Sequence, residues 1–215
     1  WPAIQLPLTE VVAIAHAAAV PVLVDAAAQI PPLASLWRFT VEHGADAVIL
    51  SGGKGLRGPQ PTGLVLGAGW VIEGCRAIGS PNRALGRPMK VGKEEMVGLV
   101  RAVELALEQD EAAVLAGYEA MVQGWVEGLR GLPGVRAERG FPSEAGQPYA
   151  RAIVTIEPAS NHTRDEVVQR LLDGDPAVAV APLGDDRIAL NPQTLEPGEE
   201  EVVLRRLRRV LTGGE

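Results

Sequence analysis

The residue whose surroundings most suggest chemistry is Lys54, in the run Ser51-Gly52-Gly53-Lys54-Gly55-Leu56-Arg57-Gly58-Pro59-Gln60. It follows an apolar stretch, residues 47–50 (AVIL), that reads as a buried strand. Glycines on both sides permit close backbone approach and dihedrals that other residues avoid. A lysine near an apolar sheet edge is expected to have its ammonium desolvated, which favours the neutral amine that attacks an aldehyde. The alternative is a basic residue in a solvated turn. Two nucleotide readings of the same glycines fail on context. Gly53 to Gly58 fit G-x-G-x-x-G, but that motif must open a helix, and Pro59 and Pro61 follow at once. No glycine precedes Gly53-Lys54 at the spacing of a phosphate-binding P-loop.

Asp25 closes the preceding apolar run, residues 20–24 (VPVLV). An acid at the carboxyl end of such a strand sits where open α/β sheets place ligands. Its other reading is a helix N-cap. Asp25 and Lys54 would lie on successive strand ends, an arrangement that fits a pyridoxal-phosphate (PLP) site. There the lysine joins the cofactor as a Schiff base, and the carboxylate keeps the pyridine nitrogen protonated so that the ring can act as an electron sink. Ser51, at the same strand end, is a candidate donor to the cofactor phosphate, or simply a turn serine. His16, His43 and His162 are isolated from one another, so no metal site is expected. Cys75 has no internal partner and reads as a packed thiol in a helix.

The elements that must position these groups follow from periodicity. Short apolar runs at residues 20–24, 47–50 and 63–66 alternate with helical stretches at 33–43, closed by Gly44, and at 70–78. Thr9 is the candidate cap of a helix before them. Strands without polar alternation, interleaved with helices, predict a sheet covered on both faces. Residues 91–129 carry apolar side chains at a period near 3.6 and predict one long or kinked helix joining two domains. The remainder reads β-β-α-β-β-α, with strands at 135–138, 150–157, 177–181 and 187–191. Thr163 and Glu166 have capping-box spacing at the start of a helix through Leu172. The predicted domains are 1–92 and 93–215.

The chain has 215 residues, 47% hydrophobic and 22% charged, ordinary for a globular protein with a substantial core. The net charge of −7 argues against a broad nucleic-acid surface. Arg205, Arg206, Arg208 and Arg209 follow Glu199, Glu200 and Glu201 on one C-terminal helix, acid early and base late as the helix dipole prefers. No apolar run reaches the roughly 20 residues of a membrane span. The expected setting is cytoplasmic.

The segments VPVLVDAAAQIPP, LWRFTVEHGADAVILSGGKGLRGPQPTGLVLG and SPNRALGRPMKVGKEEMVGL resemble the PLP enzymes related to bacterial selenocysteine synthase, the L-seryl-tRNA(Sec) selenium transferases. Within that superfamily they are most similar to the branch that includes D-glucosaminate-6-phosphate ammonia-lyase. The resemblance covers most of the chain. It implies fold type I, the aspartate-aminotransferase architecture: the C-terminal half of an α/β PLP-binding large domain, then a small α+β domain. It implies Lys54 as the Schiff-base lysine, Asp25 as the pyridinium partner, and Arg87 and Lys90 as holders of an anionic substrate group. The synthases have Asp where this chain has Gly53, and two arginines where it has Arg87 and Lys90. Lysine keeps the charge but loses the bidentate fork. They read L-D-L-R where Leu190-Asn191-Pro192-Gln193 stands here. These departures weigh against selenium transfer and against tRNA as a partner.

By the same resemblance, a phosphate loop and a ring-stacking residue precede Asp25 in whole enzymes, so the chain is expected to lack a large N-terminal portion. The expected activity is a lyase acting on a small amino-acid or amino-sugar-acid substrate by α-proton abstraction and β-elimination, in a homo-oligomer. The selenium transferase is the alternative, and a non-catalytic scaffold the second. Retention of both Lys54 and Asp25 counts against the scaffold.

Overall fold

The computed structural model describes residues 6–213. The chain divides into two compact units, Trp1–Glu111 and Ala112–Glu215. Helix α1 (Leu8–Ala17) starts after Pro7, whose carbonyl accepts the Glu10 and Val11 N–H groups. Thr9 therefore lies inside the first turn and is not its cap. Strands β1 (Leu23–Asp25), β2 (Ala47–Ser51) and β3 (Gly63–Gly67) form a sheet in the order β1-β2-β3. β1 runs parallel to β2, with Asp25 paired to Ile49. β3 runs antiparallel, with Ser51 paired to Gly63. A parallel return needs a crossover of a dozen or more residues, usually a helix. Residues 52–62 make only a tight loop, so the chain doubles back.

The helix expected over 33–43 is a 3₁₀ turn (Leu33–Leu36) followed by a π-helical turn (Arg38–Glu42). The Thr40 hydroxyl donates to the Trp37 carbonyl at 3.1 Å, a local bond that competes with the regular ladder. Gly44, at φ +75°, closes the segment as expected. Helix α2 (Gly69–Ile78) buries only Val71, and its later turns are exposed. Cys75 is thus a surface thiol rather than a packed one.

The long helix predicted over 91–129 is two helices, α3 (Lys93–Glu108) and α4 (Glu111–Gly128), separated by an extended Gln109. Glu111 at the break accepts the Leu33 N–H at 2.5 Å. α3, which the sequence reading joins to the second domain, packs on the first unit. Its Leu99 joins Ala26, Ile30, Leu36, Val48, Leu50 and Leu56 in one buried cluster. That cluster covers one face of the sheet. The other face leaves Leu23 and Ile49 50% and 39% exposed, so the described residues of this unit cover that face only in part, at Ala47.

In the second unit, β4 (Val135–Gly140), β5 (Arg151–Ile156), β6 (Ala181–Leu183) and β7 (Arg187–Leu190) form an antiparallel sheet in the order β4-β5-β7-β6. Helices α4, α5 (Arg164–Leu172) and α6 (Glu199–Leu211) contribute Val122, Trp125, Val167, Leu171 and Leu207 to a core with Ala152, Val154, Ile188 and Leu190. The strand predicted at 177–181 begins only at Ala181. Val178 instead donates its N–H to the Leu171 carbonyl at the end of α5, and Pro182 is tolerated because β6 is an edge. The capping box forms as read: Thr163 Oγ1 accepts the Glu166 N–H, and the Glu166 carboxylate accepts the Thr163 N–H. Acidic residues open α6 and basic ones close it. Among the described residues, no helix is long and apolar enough to cross a membrane.

Candidate active site

Parallel pairing of β1 with β2 puts their carboxyl ends on one side of the sheet. Asp25 ends β1 and Ser51 ends β2, so both lie on that edge. Lys54 stands three residues past Ser51, in a turn that closes when Arg57 donates its N–H to the Lys54 carbonyl at 2.9 Å. The Gly58 N–H reaches the Gly52 carbonyl at 2.8 Å and fixes the base of the turn. Arg57 adopts φ +54°, an uncommon conformation for a non-glycine residue and one that collects at functional sites.

The glycines around Lys54 are there for space. A Cβ on Gly53 would lie 2.6 Å from Gln60 Cα, and the Gln60 amide donates to the Gly53 carbonyl at 2.9 Å. A Cβ on Gly55 would run into the Ile30 carbonyl. Ile30 ends the loop that leaves Asp25, so this close approach locks the two candidate loops together. Gly52 packs in the same way on Thr62 and Leu99. Gln60, Thr62 and Ile30 thus brace the turn. Only the glycines themselves signalled that role in the sequence; the partners across the turn did not.

Asp25 and Lys54 are both exposed. One Asp25 carboxylate oxygen accepts the Ala27 N–H at 3.1 Å. Lys54 Nζ has no hydrogen bond or ion pair among the described residues. The buried setting expected for Lys54 is not made by the described residues of this unit, which leave it exposed. Arg87 and Lys90 lie on a separate segment after α2. Arg87 opens a 3₁₀ turn (Arg87–Met89) that Lys90 ends, and its guanidinium donates to the Pro81 carbonyl at 2.8 Å. Among the described residues, nothing in their hydrogen bonding ties them to the Asp25–Ser51–Lys54 edge. A groove of about 560 Å³ runs between residues 55–59 and α3. Arg101 on its wall is already paired with Glu104 at 3.0 Å and Glu108 at 3.7 Å.

His16, read as isolated, bonds Asp46 at 2.9 Å, and Asp46 also accepts the Val22 N–H at 2.7 Å. The Val22 N–H and then His16 hold the Asp46 carboxyl below its ordinary value. Sequence spacing gave no sign of a pair 30 residues apart. Among the described residues, no group of three His, Cys, Asp or Glu could hold a metal ion.

The residues present fit PLP. The lysine amine is unpartnered, the acid keeps one oxygen uncommitted, and the backbone around them is pared to glycine where anything larger would collide.

No family model matches the chain. It is 34% identical over 210 residues to a Streptomyces 5'-C-glycyluridine monooxygenase-decarboxylase, covering 96% of this chain and 50% of that protein. It is 31% identical over 209 residues to the Salmonella typhimurium D-glucosaminate-6-phosphate ammonia lyase, covering 96% and 53%. A Solidesulfovibrio magneticus L-seryl-tRNA(Sec) selenium transferase matches at 28% over 184 residues, 76% of this chain and 38% of that one. The solved structure of a D-glucosaminate-6-phosphate ammonia-lyase superposes with a TM-score of 0.74 at 28% identity, covering 98% of this chain and 54% of that chain. The chain spans about half the length of the curated relatives it matches. In sequence and in fold, the chain is similar to PLP-dependent fold-type-I enzymes related to selenocysteine synthase, D-glucosaminate-6-phosphate ammonia-lyase among them.

Proposed function

We propose that the whole protein is a PLP-dependent lyase that removes the α-proton of an amino-acid or amino-sugar-acid substrate and eliminates a β-substituent. The observation that carries this reading is the parallel β1–β2 pairing, which gathers Asp25, Ser51 and the Lys54 turn at one sheet edge. PLP, when bound, supplies an electron sink that stabilises charge developing at the substrate α-carbon. Lys54 Nζ would hold the cofactor covalently, give way to the substrate amine, and then take the proton from Cα. Asp25 would keep a proton on the pyridine nitrogen through its carboxylate, with the Ala27 N–H fixing its orientation. The Ser51 hydroxyl would donate to the cofactor phosphate. Arg87 and Lys90 would hold a phosphate or carboxylate of the substrate, Lys90 as a point charge and Arg87 with its fork. The family reading also favours a homo-oligomer in the cytoplasm.

The likeness to the monooxygenase-decarboxylase favours a second reading, oxidative decarboxylation of a glycyl-nucleoside-like substrate at the same carbon. The test uses the full-length protein with PLP. Borohydride reduction and peptide mapping should find a phosphopyridoxyl group on Lys54. Ammonia release from D-glucosaminate 6-phosphate supports the lyase. Oxygen uptake with carbon dioxide release supports the second reading. Product from seryl-tRNA and selenophosphate would support the transferase in place of both. A folded, complete protein without an adduct on Lys54 would leave only a scaffold.

A further inference from the structure

Helices α5 and α6 pack against each other in the second unit, and a cleft of about 410 Å³ opens beside their last turns and the loop after α5. It is lined by Arg170, Asp173, Gly174, Asp175, Arg206 and Arg209, so three guanidinium side chains and two carboxylates border one space. A cleft of that size lies within the usual range for small-molecule sites.

The charges bordering this cleft do not neutralise one another. Arg170 donates to the Val210 carbonyl at 3.3 Å, and Asp173 accepts from the Gln169 amide at 2.8 Å. Among the described residues, the side chains of Arg206, Arg209 and Asp175 make no hydrogen bond or ion pair. Arg206 is half-buried: its Nε is enclosed without an acceptor, while the residue still borders the cleft. Gly174 gives its guanidinium a place. That glycine is not in the left-handed region, and a Cβ on it would occupy the position of Arg206 Nη2. It is needed there for space, and any larger residue must move the guanidinium. Arginines in the last turns of α6 suit the helix dipole. The dipole does not explain why two of them leave Asp175, on the same cleft, unpaired.

We propose that this cleft binds a phosphate group, free or as the monoester of a small metabolite. Arg206 and Arg209 supply planar N–H donors that match phosphate oxygens, and Arg170 adds positive charge from the α5 side. Asp175 plays the opposite part and accepts a hydrogen bond. A phosphate monoester keeps one proton until its second ionisation near about pH 6, and that P–OH can donate to the carboxylate. Sulfate is fully ionised there and has no proton to give. The arginines thus supply the affinity, and Asp175 the selection of phosphate over sulfate. This site lies within the second unit and does not depend on the Lys54 reading.

The test uses the full-length protein saturated with PLP, so that the cofactor's own phosphate site is filled. Hydrogen–deuterium exchange is followed by mass spectrometry at about pH 6. Inorganic phosphate should slow exchange saturably in the peptides over residues 170–176 and 205–211. Sulfate at equal ionic strength should need about tenfold more to do the same. R209Q and R206Q should each weaken the phosphate response by about tenfold or more. D175N should bring sulfate level with phosphate. The proposal is overturned by the absence of saturable protection in those peptides, or by a folded R209Q that responds to phosphate as wild type does. A wild type that answers sulfate and phosphate equally overturns it as well. Should R206Q fail to fold, R209Q, at an exposed position, decides alone.

Discussion

Every residue of β5, in the second unit, is buried, whereas in the first unit only the central strand β2 approaches that environment, and its Ile49 is still 39% exposed. The second unit closes its core between one sheet face and three helices, with Trp125, Leu171 and Leu207 almost wholly enclosed. The first unit carries the chemically suggestive residues on an open edge, and holds them by backbone contacts at glycines rather than by a deep core. Deep burial and the proposed chemistry therefore fall to different parts of the chain. This agrees with the general tendency of sites to sit on loops braced by a scaffold.

The sharpest break between them is Lys54→Ala. Loss of the acid–base role alone should reduce turnover of the full-length protein by roughly 10²–10⁴-fold. As an exposed residue without partners, it should leave stability within about 0.5 kcal/mol of wild type in chemical denaturation. Leu207→Ala reverses the pattern. It should cost about 2–5 kcal/mol through cavity formation, measured by the same denaturation, while PLP labelling of Lys54 persists in the folded fraction.

Gly55→Ala probes the join between the two candidate loops. The methyl must displace the Ile30 carbonyl, at a cost of about 1–3 kcal/mol, and labelling at Lys54 should fall with it. Normal labelling in that variant would show that the close approach does not set the lysine's position. Thr163→Ala removes half of the capping box in the second unit and should cost about 1 kcal/mol, with no effect on labelling.

The smallest effect concerns pH. The folded-state value of Asp46 is depressed, so its contribution is present above the unfolded value near 3.9 and is lost as pH falls through the lower folded value. Asp46→Asn should therefore flatten the acid limb of the first unit's unfolding below about pH 4, followed by circular dichroism. An unchanged limb would mean that the Val22 and His16 bonds do not link α1 to the sheet energetically.

Much of the proposed site is read from signals that are local. A lysine among glycines after AVIL, an acid after VPVLV, and prolines that forbid a helix are all read within ten residues. The brace was not legible, because Ile30 and Gly55 meet only once two loops are stacked on adjacent strands. The same limit explains the misread elements. Periodicity continues through Gln109, yet α3 and α4 separate there, with Glu111 next to the break bonded to the distant Leu33 N–H. Nothing in the sequence marks Arg151 for burial, which the sheet alone imposes.

By itself the sequence determined the alternation of strands and helices, the capping box, the charge order along α6, and the residue types that carry the proposed chemistry. These depend on backbone propensity and on neighbours a few residues away. Tertiary structure alone decided that β3 returns antiparallel, that α3 packs on the first unit, that Lys54 stands exposed on an open edge, and that Arg151 is buried with an unfilled donor. Each of these is a matter of solvent access or of contact between distant segments, which a linear pattern does not encode.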